Sequence, residues 1–307
     1  MQLLKNLTTI DFIGLRKVAL LVSTALIVAG VYSLTTQGLN YGIDFTGGTK
    51  VELIYQSDVD VNELRTTLTT NGTKDVLIRV PLSENNSSAE VSTQIVELLS
   101  AQTTEEVEVR AVEFVGPQFG QELFEKGILA LVYALIGVMI YVAFRFEWKF
   151  SLGSVAALVH DIIITVGLFS LLGLEFTLPV LAALLAVIGY SLNDTIVVFD
   201  RIRENFRKLR EVDTKETMNV SINQTLPRTI LTSLTTLLVL FALYIYGGEA
   251  LSGFAATLII GVLIGTYSSI FVASPTVLAL GAKAEDLMVE VVEKEGADIE
   301  QPDMYQP

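Results

Sequence analysis

Six blocks of the chain are apolar almost without interruption, and each approaches the roughly 20 residues that an α-helix needs to cross a bilayer. They predict spanning helices over 18–34, 127–144, 151–173, 177–199, 229–246 and 254–280. The long stretch between the first and second blocks follows a different pattern. Val51, Leu53 and Tyr55 alternate, as on one face of a strand, and 76–80 and Val107, Val109 and Ala111 repeat the signal. Between these, Val61, Leu64 and Leu68, and then Val91, Ile95 and Leu98, recur at helical spacing. A β-α-β-α-β order of this size predicts a compact α+β sandwich. Its polar loop at 83–88 carries Asn-x-Ser triplets, which arise by chance at this length. The fold class predicted is a polytopic α-helical membrane protein, a six-helix transmembrane bundle with a small α+β domain.

Charge orients these elements. Lys5, Arg16 and Lys17 precede the first block, Arg145 and Lys149 separate the second and third, and seven basic residues from Arg201 to Arg228 separate the fourth and fifth. The loops around Glu175 and Glu249 hold no lysine or arginine. Positive charge in short loops stays on the cytoplasmic side, so both termini are expected there and the domain at 37–125 outside. No small-x-small cleavage site follows the first block, which therefore reads as an uncleaved anchor. The predicted division is a cytoplasmic N-terminus over 1–17, a first helix over 18–36, and the external domain over 37–125. Helices two to six then fill 126–280, with a basic loop at 200–228, and a tail closes the chain over 281–307.

Composition narrows the chemistry. There is no cysteine and one histidine, His160, so thiolate chemistry, a Ser-His-Asp triad and a multi-histidine metal site are all excluded. No enzyme activity, metal or cofactor is expected. A net charge of −14 argues against nucleic acid, and contact with anionic lipid is left to the basic loops. Part of that charge sits in the tail, where eight carboxylates after Gly281 face only Lys283 and Lys294. The tail reads as solvated, with a short helix over 287–292 as the one ordered element expected.

The intramembrane polar residues carry the functional signal. Asp194 lies within the fourth block, where a carboxylate costs about 2.5–3.5 kcal/mol even on the lenient insertion scale. Ala182, Ala183, Ala186, Gly189, Tyr190, Asn193 and Asp194 recur at steps of three and four, a small and polar stripe suited to facing other helices. The fifth block opens with Pro227, expected in a first turn, and Arg228, and continues with Thr229, Thr232, Thr235 and Thr236 on one face beside Ser233. Asp194, Arg228 and such a hydroxyl track at one depth are the parts of a proton relay; a structural ion pair is the other reading. His160 and Asp161, mid-way along the third block, also fit either a relay or an interhelical hydrogen bond. Gly261 and Gly265 form a close-packing G-x-x-x-G.

Several segments together resemble a known family. The sequence GIDFTGG at 42–48, Val115-Gly116-Pro117, His160-Asp161 and the run 188–205 ending in Arg201-Ile202-Arg203-Glu204-Asn205 are similar to the SecF family of the SecD/SecF protein-export subunits, within the resistance-nodulation-division superfamily. Asn223-Gln224-Thr225 with Arg228, and 265–269, extend the resemblance, which leaves out the acidic tail and much of the interior of the external domain. It implies half of a twelve-helix unit, completed by SecD, which associates with the SecYEG channel and in many bacteria with YajC. It also implies an inner-membrane location, a periplasmic 37–125 domain, and use of the proton-motive force in late steps of export of SecA-driven preproteins. Asp194 takes the place of the family's intramembrane carboxylate and Arg228 that of the accompanying arginine. Gly47 and Gly48 fall at the join of membrane and domain, as a coupling hinge or a turn that needs glycine. The competing functional class is half of a proton-driven small-molecule or lipid exporter, against which the short loop at Glu175 argues. A third reading is a purely structural assembly subunit.

Overall fold

The computed structural model describes residues 10–55, 75–80, 107–209 and 212–282. Among the described residues, six helices are long and apolar enough to span a membrane. Helix α1 is Arg16–Thr36, α3 Pro117–Arg145, α4 Trp148–Leu172, α5 Leu178–Lys208 and α6 Thr214–Tyr246. The sixth is α7, Glu249–Ser268, which passes through a π-helical turn, Ser269–Ala273, into α8, Ser274–Ala279. Pro275 accounts for the widened turn, because its ring would collide with the carbonyl four residues back in a regular α-helix. The chain is a polytopic helical membrane protein.

Helix edges differ from the sequence pattern wherever a polar segment packs on its neighbours. The stretch read as a basic loop over 200–228 is helical over 200–208 and 214–228, because α5 runs on to Lys208 and α6 starts at Thr214. Pro227 is accordingly inside α6 rather than in its first turn. What extends α6 is tertiary packing: Met218, Ile222 and Leu226 recur at helical spacing and are buried with Ile202 and Phe206 of α5. Asp213 caps the new start, its carboxylate accepting from the Lys215 N–H at 3.2 Å. Helix α3 begins at Pro117, so 117–125 is helix as well.

The segment before α1 forms a strap held by α6. Asn219 Oδ1 accepts from the Ile13 N–H at 2.9 Å, and Asn223 Oδ1 from the Ile10 N–H at 3.0 Å. Asn219 Nδ2 donates in return to Asp11 at 2.6 Å, and Phe12 and Ile13 are buried in the core.

Small residues set the closest helix approaches. A Cβ at Gly261 would strike the Val187 side chain, and one at Gly265 would come within 2.9 Å of Ser191 Cβ, so the G-x-x-x-G of α7 seats α5. Gly30 and Gly167 meet Cα to backbone between α1 and α4. At one end of the bundle Phe146 and Phe150 stack, and Phe199 meets both edge-on, at 5.0–6.0 Å between centroids.

Outside the bundle, β2 (Gly48–Tyr55) pairs antiparallel with β3 (Asp75–Val80) and with β4 (Val107–Val115), in the order β3-β2-β4. Register with β4 slips between Glu52 and Leu53. The strands predicted at 50–55, 76–80 and 107–111 are therefore present. The predicted helices around Val61 and Val91, the 83–88 loop and the acidic tail from Lys283 lie outside the described residues.

Candidate functional site

Asp194 sits mid-way along α5, 3% exposed, and its Oδ2 has no hydrogen-bond partner. Among the described residues it is the only carboxylate with a buried oxygen left unpartnered. A buried polar atom without a partner is costly, and each change of protonation state changes the partner it needs. Arg228 on α6 lies close enough for its charge to act on Asp194, but it is exposed and forms no ion pair with it.

The hydroxyls of α6 divide between two faces. Thr232 donates to the Arg228 and Thr229 carbonyls at 3.1 and 3.0 Å, and Thr235 and Thr236 likewise bond back to their own helix. Their protons are thus committed locally. The buried row is instead Thr225, Thr229 and Ser233. Ser233 shares a 2.7 Å hydrogen bond with Thr266 of α7, whereas Thr229 Oγ1 is buried without a partner. Sequence spacing alone could have found this row, since its members are four residues apart, but not which row faces inward.

The stripe on α5 also divides. Ala183 and Asp194 are buried, while Ala182, Ala186, Gly189 and Asn193 are exposed and form one open row along the helix. A Cβ placed on Gly189 would meet nothing within 4 Å. The other described residues do not cover that row.

One helical turn from Asp194, Ser191 enters a second, fully partnered network. Asp161 Oδ2 accepts from Ser191 Oγ of α5 at 2.6 Å and from Ser268 Oγ of α7 at 2.8 Å. Asp161 Oδ1 lies 2.9 Å from His160 Nδ1, and His160 Nε2 lies 3.0 Å from Ser23 Oγ of α1. Ser23 continues to the Tyr267 hydroxyl at 3.1 Å, which donates to the Ala19 carbonyl at 2.8 Å. His160 and Asp161 therefore join α1, α4, α5 and α7 in one network. Ser23 has no signal in the sequence, and Ser191, Tyr267 and Ser268 stand there only within the segments 188–205 and 265–269 that carry the family resemblance.

The far end of α5 is tied to the joint between the bundle and the strands. Asp44, in the short helix α2 (Ile43–Thr46), accepts from the Leu178 N–H at 2.7 Å and so satisfies the first free donor of α5. Gly42 donates to the Phe176 carbonyl, and β1 (Asn40–Tyr41) pairs in parallel with β5 (Glu175–Phe176). Tyr41, Phe45, Phe124 and Phe176 close edge-on and tilted around this pair at 5.6–6.2 Å. Gly47 follows at φ +71° and Gly48 at φ +145°, conformations that side chains oppose. A Cβ on Gly120 of α3 would come within 2.8 Å of the Phe45 carbonyl, so the turn is also wedged against α3.

The chain as a whole is similar to known proteins. Residues 95–283 match the family described as protein export membrane protein SecD/SecF, C-terminal, and residues 32–59 match the SecD/SecF GG motif. A protein translocase subunit SecF from Vibrio alginolyticus is 46% identical over 98% of this chain and 99% of its own length. That of Escherichia coli O157:H7 is 44% identical over 90% of each. The crystal structure of SecDF from Thermus thermophilus, titled a translocon-associated membrane protein, superposes with a TM-score of 0.78 at 40% identity. That match covers 88% of this chain but only 38% of the SecDF chain. A SecDF structure in a super-membrane-facing form gives 0.69 at 38% identity, over 90% of this chain and 39% of that one. With the family matched over most of the bundle and its relatives matched nearly end to end, the chain belongs to the SecD/SecF family of protein-export membrane proteins, on the SecF side.

Proposed function

We propose that this chain is the SecF half of a SecD–SecF unit that uses the proton-motive force to promote late steps of Sec-dependent preprotein export. The observation that carries the reading is Asp194, buried with an oxygen unpartnered beside an open row of small residues. Small residues let helix backbones approach closely, and the row at Ala182, Ala186, Gly189 and Asn193 fits a helix of SecD. The solved SecDF chains, of which this chain spans 38–39%, support a partner of that kind.

In the mechanism, Asp194 alternates between a neutral carboxylic acid, which can donate a proton, and a carboxylate, which needs donors or a cation. Arg228 supplies the cation when its long side chain swings in from the exposed surface, and Asn193 and Thr232 border the path as polar neighbours. Each state favours a different packing of α5 against its neighbours, and the proton gradient shifts the balance. Asp161 and His160 hold α5 in register with α1, α4 and α7 while this happens. Helix α5 then carries the shift about 24 Å from Asp194 to Leu178, at about 1.5 Å per residue. There Asp44 passes it to Gly47 and Gly48 and so to the domain at 37–125, which meets the emerging polypeptide. The setting is the bacterial inner membrane with both termini cytoplasmic and that domain periplasmic. SecYEG, YajC and SecA-driven preproteins are the associated components, and the role is coupling transport rather than enzymatic.

The test is D194N in SecD–SecF complexes reconstituted with SecYEG and SecA. Assembly is expected to persist while the gradient-dependent part of export disappears. A full response of D194N vesicles to an imposed proton gradient refutes the relay. A tryptophan at Gly189 is expected to reduce copurification of SecD, and unchanged copurification refutes the assignment of the open row.

A further inference from the structure

The sides of α1 and α4 and the segment from the π turn through α8 enclose a groove of about 1000 Å³ that the export mechanism does not use. Its walls are apolar for most of their length, with Leu20, Ile27, Ile163 and Phe271 among them. At one end stand Arg16, Lys17 and Lys215, and among the described residues the lining contains no carboxylate. Along α1 the groove runs from Arg16 to Ile27, about 16 Å at 1.5 Å per residue. That is about half of the roughly 30 Å hydrocarbon thickness, the depth of one leaflet.

We infer that this groove is a binding site for one glycerophospholipid of the leaflet on the N-terminal side, with its phosphate at Arg16, Lys17 and Lys215 and an acyl chain between α1, α4 and α8. Length, polarity and charge agree on this occupant. A chain-length apolar slot open at the membrane surface suits a lipid tail, and cations clustered at its interfacial mouth suit a phosphate. Arg16 makes one weak contact to the Ile13 carbonyl, at 3.5 Å, and its charge also acts on Asp11, so the three cations stand between the groove and an adjoining polar cleft that they also line. The carboxylates of the adjoining polar cleft are Asp11, Asp213 and Glu216. Asp11 and Asp213 are already held by the backbone N–H groups of Gly14 and Lys215. Ser23 and His160 reach the inner part of the groove, so a bound tail covers the His160–Ser23 hydrogen bond and keeps water from it. A lipid here also fills the space beside α1, whose own contacts run chiefly along α4.

Native mass spectrometry of the delipidated full chain, titrated with phosphatidylglycerol, tests this. One saturable lipid is expected, with retention about 100-fold weaker in the triple variant R16Q/K17Q/K215Q, from about fivefold for each cation. Filling the groove with A156W is expected to abolish that lipid while thermal unfolding stays cooperative, which separates lost binding from lost fold. A diacylglycerol with the same tails and inorganic phosphate alone are both expected to bind weakly. Equal retention by the wild type and the triple variant, or equal retention of the phosphate-free lipid, reduces the groove to a place for exchangeable annular lipid and overturns the proposal. Displacement by inorganic phosphate at the same concentration assigns the cations to a free anion and overturns it too.

Discussion

Replacing Asp161 by alanine takes away the acceptor on which three helices converge. In the native bundle this carboxylate is fully buried and accepts from Ser191 at 2.6 Å and Ser268 at 2.8 Å, with His160 Nδ1 at 2.9 Å on its other oxygen. Intramembrane hydrogen bonds average about 0.6 kcal/mol and reach about 1.7. Ser268 can fall back on the Gly265 carbonyl, which it already approaches at 3.2 Å, so two of the three donors are left stranded. With the cavity added, D161A is expected to cost about 2–4 kcal/mol. D161N is a different case. Its amide oxygen can take the place that receives both serines, and its NH₂ then faces His160 Nδ1, which accepts when the imidazole proton sits on Nε2 and points to Ser23. A loss under about 1 kcal/mol is expected for it. Equilibrium unfolding of the full chain in mixed micelles measures both, provided the transition is two-state. A D161A midpoint equal to that of the native chain refutes the network's role in holding the helices. A D161N loss as large as that of D161A refutes the hydrogen-bond reasoning and assigns the effect to the charge.

Other positions give independent checks. G261V drives a side chain into Val187 and is expected to destabilise by about 1–3 kcal/mol in the same assay, whereas G137V, where a Cβ meets nothing within 4 Å, is expected to be near neutral. N219A removes the acceptor for the buried Ile13 N–H; hydrogen exchange over 10–15 is expected to accelerate, by an amount equivalent to about 1–2 kcal/mol. Asp11 has its carboxyl held below its ordinary value of 3.8 by the Gly14 N–H first and Asn219 second. Its contribution to the strap is therefore complete above that value and is lost as pH falls through the lower folded one, so acid-dependent exchange at 10–15 is expected to vanish in D11N. G47A forces a side chain to φ +71° and is expected to cost about 1–3 kcal/mol and to slow export; unchanged melting and export refute the strained joint.

The six spans, the three strands and the identity of the costly residues are legible along the chain, because each depends on local periodicity or on the cost of a polar group in hydrocarbon. Asp194, His160 and Asp161 stand out in any apolar block, and GIDFTGG, Val115-Gly116-Pro117, the His-Asp pair and the run 188–205 together indicate the family. Which partners those residues meet depends on how the helices pack. Pro227 reads as a helix start from local preference, yet Met218, Ile222 and Leu226 pack on α5 and carry α6 thirteen residues further back. The Thr232 face and the Thr229 face have equal claims by spacing, and helix rotation within the bundle turned one inward and left the other to its own carbonyls. Asp44 lies more than a hundred residues from the helix it caps, and Ser23, Ser191 and Ser268 lie on three different helices around one histidine-aspartate pair. Side-chain periodicity reports one helix at a time, whereas a hydrogen-bond network depends on where several helices are placed, and the contacts that place them are far apart in the chain.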